Sequence, residues 1–107
     1  SYQPWTPMFP IPAGVDIVIN ATSIGLYPAV DQMPDLDART LRAEMVVADG
    51  IHNPPLTPLL RTARAQGCRI VDGLGMLVNQ GVIGIRYWTG LVADAQTMRR
   101  ALLDLGL

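Results

Sequence analysis

The sequence predicts an α/β fold, a three-layer parallel sheet of about three strands with flanking helices and two further helices toward the C-terminus. Three observations carry that expectation. β-Branched apolar runs recur along the chain, helix-start signals stand between them, and a long glycine-spaced apolar stretch follows the last of them. Strands alternating with helices of about ten residues describe βαβ units, whose crossovers are right-handed and whose strands run parallel.

Residues 1–14 carry Pro4, Pro7, Pro10 and Pro12. Proline at that density removes donors and blocks helix, so an extended or turn-rich lead-in is expected, with residues 15–107 as the folded unit. Val15–Ile19 is apolar except for Asp16 and reads as a strand covered on both faces. Asp35–Arg42 suits a short helix with Asp37 as its N-cap. Glu44–Asp49 supplies a second buried strand, ended by the consecutive prolines Pro54 and Pro55. Thr57 followed by Pro58 is an N-cap and first-turn signal, because the N–H that proline lacks has no partner there anyway. Leu59, Leu60, Ala63 and Ala65 give that helix its apolar side, and Gly67 is its expected stop. Arg69–Asp72 is a third short strand. Leu74–Trp88 then reads as a long helix with Leu77, Val78, Ile85 and Trp88 on one apolar face. Asp94 caps a final helix in which Met98, Ala101, Leu102 and Leu105 recur at helical spacing.

Composition narrows the partners. Half the residues are hydrophobic and only 16% are charged, so a packed domain is expected and not a disordered tail. A net charge of -1 offers no footprint for nucleic acid or an anionic membrane. All eight basic residues are arginines, scattered except for Arg99-Arg100, which reads as a solvated helix face. Cys68, the only cysteine, has no disulfide partner within the sequence and suits a small buried hydrophobe in a reducing cytoplasm. No apolar run is long enough for a membrane span and Ser1–Trp5 does not read as a leader, so a cytoplasmic location is expected. With one histidine and one cysteine, no metal site is expected.

Three segments carry chemistry. Asn20-Ala21-Thr22 ends the first strand, on the rim where open parallel sheets hold their ligands. The same residues also suit a plain strand-ending turn. Asp49-Gly50-Ile51-His52-Asn53-Pro54-Pro55 ends the second strand, and His52 offers an imidazole that can donate or accept a hydrogen bond. Asp72-Gly73-Leu74-Gly75-Met76-Leu77-Val78-Asn79-Gln80 spans a strand-to-helix turn. There Gly73 and Gly75 permit close backbone approach, and Gln80, about two turns on, projects an amide suited to hydroxyls or a carboxylate. Gly81 and Gly84 suit tight helix-to-sheet packing.

Together these segments resemble the C-terminal part of the shikimate and quinate dehydrogenase family, from about Val15 onward. The resemblance implies the C-terminal half of a Rossmann-like NAD(P)-binding domain. It implies contacts from Asn20, Ala21, Thr22, Gly50 and Gly73 to NADP or NAD, and from Gln80 and His52 to a shikimate- or quinate-like substrate. Family members commonly carry a tyrosine where His52 stands. The family's phosphate-binding glycine loop has no counterpart here, and the catalytic lysine and aspartate of its N-terminal substrate domain have none either. No lysine occurs in the sequence, so no catalytic residue is assigned to this chain.

Two functions of different class follow. In the first, the chain is part of an oxidoreductase that moves hydride between NAD(P) and a hydroxylated cyclohexene or cyclohexane carboxylate, its partners being the missing substrate domain and first half of the nucleotide domain. In the second, it is a non-catalytic half-domain that self-associates through an unpaired strand edge and keeps weak nucleotide or small-acid binding. A homo-oligomer is expected in either case.

Overall fold

The computed structural model describes residues 1–106. Three strands, β1 (Ile17–Asn20), β2 (Val46–Asp49) and β3 (Arg69–Val71), form one parallel sheet in the order β1-β2-β3. Register pairs Ile17 with Val46 and Asn20 with Asp49 on one side of β2, and Val46 with Arg69 on the other. The three strand ends therefore share one carboxyl edge. β1 and β2 each start two residues later than the apolar pattern suggests, since the ladder begins only where neighbours align, while β3 starts at Arg69 as expected and ends one residue earlier, at Val71.

Helix α1 (Pro58–Ala65) crosses between β2 and β3, and Thr57 caps it by accepting from the Leu60 N–H. Leu59, Leu60 and Ala63 turn inward against Met45 and Val47, while Ala65 faces solvent. Gly67 takes φ +85°, a left-handed stop after α1. Cys68 lies in the same core, its Sγ 3.2 Å from the Arg42 carbonyl, and burial pushes its thiol pKa up.

The helix expected over Asp35–Arg42 contracts to one 3-10 turn, Ala38–Thr40. Asp37 does cap it, but Leu41 is already extended and buried, because the chain must straighten there to enter β2. The lead-in is extended, and it packs: Phe9 bridges Leu36 in parallel and stacks on Trp5, and Ile11 joins the core.

The expectation that β1 is covered on both faces fails. Val18 packs on the core, but Ile17 and Ile19 are 59% and 66% exposed. Helix α1 covers one face of the sheet, and no described element covers β1 on the other.

Helix α2 (Gly73–Thr89) is followed by α3 (Ala95–Asp104), capped by Asp94 through the Gln96 N–H. Only Gly73, Leu74 and Val78 of α2 are buried. The apolar face expected to run to Trp88 breaks off, leaving Tyr87 and Trp88 85% and 84% exposed. Helix α3 has no buried residue, and Ala101 and Leu105 of its expected stripe face solvent. The hairpin stands off the sheet, and the radius of gyration is accordingly 15.6 Å for 107 residues, against about 13 Å for a compact chain of this length.

Candidate functional site

A parallel register puts Asn20 beside Asp49, and their side chains join the two strand ends. Asn20 Nδ2 donates to Asp49 Oδ1 at 3.0 Å and to the Ile24 carbonyl at 3.2 Å. Its Oδ1 accepts from the Thr22 N–H at 3.1 Å and the Thr22 hydroxyl at 2.7 Å. A carboxamide has two donors and two acceptor sites, so Asn20 is saturated by its own turn together with Asp49. What this turn leaves facing solvent is Ala21 and Thr22.

Asp49 extends the network. Its Oδ1 also accepts from the Ile51 N–H at 3.0 Å, and its Oδ2 from the Thr57 hydroxyl at 2.7 Å. A buried carboxylate with three donors thus ties β1, the loop after β2 and the cap of α1 together. The Gly50 N–H donates to the Asn20 carbonyl at 2.9 Å, and the Tyr27 N–H to the Asn53 carbonyl at 2.9 Å, so the two rim loops are stitched to each other.

The glycine turn joins the same seam from the third strand. A Cβ on Gly73 would stand 2.2 Å from the Ile51 carbonyl oxygen, so the N-terminus of α2 sits on the loop backbone as only glycine permits. Gly75 differs: a Cβ there would meet nothing within 4 Å. Glycine costs a helix about 1 kcal/mol relative to alanine, and internal packing does not account for it at this position. The space at Gly75 is therefore left unfilled by the chain itself.

Residues 73, 76, 77 and 80 follow helical spacing and share one stripe of α2. Met76 on that stripe comes within 3.9 Å of where a Gly50 Cβ would lie, which points the stripe toward the loop after β2. Gln80 belongs to it and is exposed; His52 is half-buried in that loop. Gly50 touches both Asn20 and Gly73 along the seam, whereas Gln80 stands two turns along α2 and no hydrogen bond joins it to His52.

Two features escape the sequence reading. Arg99, expected to be solvated, donates to both oxygens of Asp72, with Nη1 3.0 Å from Oδ1. Asp72 in turn caps α2 through the Gly75 N–H. The Arg99 guanidinium holds the Asp72 carboxyl below its usual range, against a smaller opposing effect of burial. The pair spans 27 residues, so no local pattern announces it. Gly81, expected against the sheet, instead receives Met98 of α3, whose Cε would stand 2.8 Å from an added Cβ.

An apolar groove of about 330 Å³ lies at the outer edge of β1, lined chiefly by Trp5, Val18, Ile19, Leu36 and Leu59. Its wall offers little to a hydroxylated ligand. Among the described residues, no three His, Cys, Asp or Glu side chains are grouped to hold a metal, and no helix is long and apolar enough to cross a membrane.

Comparison with known proteins fits this edge. Residues 73–103 match the Shikimate 5'-dehydrogenase C-terminal domain family. The resemblance to the C-terminal part of the shikimate/quinate dehydrogenase family holds. The shikimate dehydrogenase (NADP(+)) of Methanocaldococcus jannaschii is 45% identical over 91 residues, 85% of this chain and 32% of the relative. The quinate dehydrogenase from Corynebacterium glutamicum in complex with NAD superposes with TM-score 0.77 at 38% identity, covering 86% of this chain and 32% of that one. A ligand-free 5-ketofructose reductase of Gluconobacter sp. strain CHM43 superposes with TM-score 0.88 at 49% identity, covering 96% of this chain and 37% of that one. The chain spans about a third of the length of these relatives. The fold is thus a Rossmann-like arrangement of three parallel strands with flanking helices, as the alternation of strands and helices suggests.

Proposed function

We propose that this chain forms the C-terminal half of the nucleotide domain of an NADP- or NAD-dependent oxidoreductase acting on a shikimate- or quinate-like substrate. The observation that carries the reading is the seam of three parallel strand ends, where Gly50 touches both Asn20 and Gly73, together with the exposed Ala21-Thr22 turn after β1 and the unfilled space at Gly75 in the first turn of α2. Parallel sheets take their ligands at this edge. The cofactor supplies hydride to a ketone, or takes it from a secondary alcohol.

The chain's own residues bind and orient. Asn20 spends its amide shaping the rim, so Ala21, Thr22, Gly50 and Gly73 present backbone and small side chains to the dinucleotide. Gln80 offers its amide to hydroxyls or a carboxylate, and His52 closes the pocket from the loop after β2. The proton that accompanies hydride has no carrier here, since the lysine that the resemblance calls for is absent from the sequence. That step belongs to polypeptide outside these residues, and the chain by itself is inactive.

A second substrate is favoured by one comparison. The match to the 5-ketofructose reductase reaches 96% of this chain and so takes in most of residues 1–14, against 85–86% for the shikimate and quinate dehydrogenases. With His52 in place of the family's tyrosine, reduction of a polyhydroxylated ketose such as 5-ketofructose is the alternative. The assay follows nicotinamide absorbance with shikimate, quinate or 5-ketofructose and either cofactor. The polypeptide that carries this segment turns over one of the three, and the isolated 107 residues turn over none. No turnover by the full polypeptide with any of them overturns the reading, and turnover by the isolated chain overturns the claim that the proton carrier lies elsewhere.

A further inference from the structure

Helix α2 is anchored at one end only. Its buried residues are Gly73, Leu74 and Val78, all in the first two turns; Ile85 is only half-buried, and from Arg86 onward the side chains open to solvent. A helix held by its first turns can pivot there. Gln80 lies seven residues beyond Gly73, roughly 10 Å along the axis at 1.5 Å per residue, so a tilt of about 10° at the first turn moves it by nearly 2 Å. The contacts that oppose such a tilt come from α3. Met98 is seated over Gly81, and Arg99 grips Asp72 with both guanidinium nitrogens at the pivot itself.

We propose that Arg99 is a positioning residue: through its two-point hold on Asp72 it fixes the direction of α2, and so the place of the Gly73–Gly75 turn and of Gln80. It touches neither cofactor nor substrate. Asp72 serves two masters with one carboxylate, since Oδ1 accepts from both the Gly75 N–H and Arg99. Loss of Arg99 frees that carboxylate to rotate and leaves Met98 as the named brace between the helices. This inference rests on the proposed function for what α2 does to a ligand, though not for how α2 is held.

The test separates the two. In the full polypeptide, Arg99→Met keeps the aliphatic stem and removes the charge, while Asp72→Asn keeps an N-cap oxygen and removes the ion pair. Amide hydrogen exchange should rise at least tenfold at residues 74–80 in either variant, by the same factor in the double variant, with β2 and α1 unchanged. In turnover assays, KM for whichever substrate is used rises and kcat/KM falls roughly 10- to 100-fold, the size expected when a binding group is misplaced by an ångström or more. Arg99→Lys, which keeps the charge without the two-point geometry, recovers part of both. Unchanged exchange at 74–80, or a rise spread over the whole sheet, overturns the positioning role whatever the enzyme does. Faster exchange with unaltered kcat/KM shows that Arg99 holds α2 but that α2 does not set the ligand site, which overturns the proposal as stated. Absence of turnover in the unsubstituted polypeptide counts against the functional reading alone; the exchange result still decides whether Arg99 holds α2.

Discussion

The sheet with α1 and the α2–α3 hairpin solve the same problem of burying apolar surface to very different degrees. Around β2, Met45, Val47, Leu60 and Ala63 are wholly enclosed, and no buried side-chain polar atom among the described residues lacks a partner. In the hairpin, two aromatic rings, Leu91 and Val92 stand in solvent. The first region satisfies itself. The second is braced by two side chains and attached through one buried turn, yet it bears the Asp72–Gln80 motif. Strength lies in the sheet, while the proposed ligand geometry depends on the weaker part.

The largest effects should therefore fall in the sheet. Leu60→Ala opens a cavity in a fully enclosed site and should cost about 2–5 kcal/mol in urea unfolding. Asp49→Ala should cost about 3 kcal/mol or more, because Asn20, the Ile51 N–H and Thr57 all lose their acceptor in the interior. A small loss in either case would show that the sheet is not the stable region claimed here.

Two glycines of one motif sharpen the contrast at the junction. Gly73→Ala drives a methyl into the Ile51 carbonyl and should destabilise by about 1–3 kcal/mol. Gly75→Ala meets open space and should stabilise the fold by up to about 1 kcal/mol, while weakening cofactor binding in the full polypeptide. Equal stability changes at the two sites would remove the distinction between a glycine the fold needs and one it leaves for a ligand.

How far the sequence could announce all this depends on the range of each interaction. Local rules read Thr57-Pro58, Asp94 and Gly67 correctly, because a cap or stop is decided within a few residues, whereas Asp72, expected to end the third strand, instead caps α2. The parallel order followed from alternating strands and helices. The Asp35–Arg42 helix failed because Leu41 is claimed by the core before a second turn can form. The coverage of Ile17 and Ile19, and the fate of Tyr87 and Trp88, depend on what packs beside them, which β-branched or helical periodicity does not encode. At the candidate site, Asn20 and Gly73 were visible as motif letters. Their saturation by Asp49 and Ile51 was not, and neither was the reach of Arg99 across 27 residues.

Acid gives a smaller test of the brace. Since Arg99 lowers the Asp72 pKa in the folded state, its stabilisation is fully present above the unfolded carboxyl value, near 3.9. It disappears as pH falls through the lower folded value. The pair is partly exposed, so the amount is at most about 1 kcal/mol. Comparing Arg99→Met with the unsubstituted chain from pH 6 to pH 2 should show a stability gap that closes on acidification. A gap that persists at pH 2 would show that the Arg99–Asp72 ion pair is not its source.

The smallest expected effect is the one most able to break the comparison. Trp88→Gln removes the largest side chain in the hairpin, and a tryptophan buried in a core would cost about 3–5 kcal/mol on truncation. At 84% exposure, at the end of a helix whose buried contacts stop at Val78, it should change stability by no more than about 0.5 kcal/mol in the 107-residue chain. The indole emission should also match that of a solvated ring and shift little on unfolding, once the signal of Trp5 is removed by substitution. A blue-shifted Trp88, or a loss of several kcal/mol, would mean that the hairpin is folded onto an apolar surface. The exposed Ile17 and Ile19 face would be the first place to look, and α2 would then be held along its length with no pivot for Arg99 to restrain.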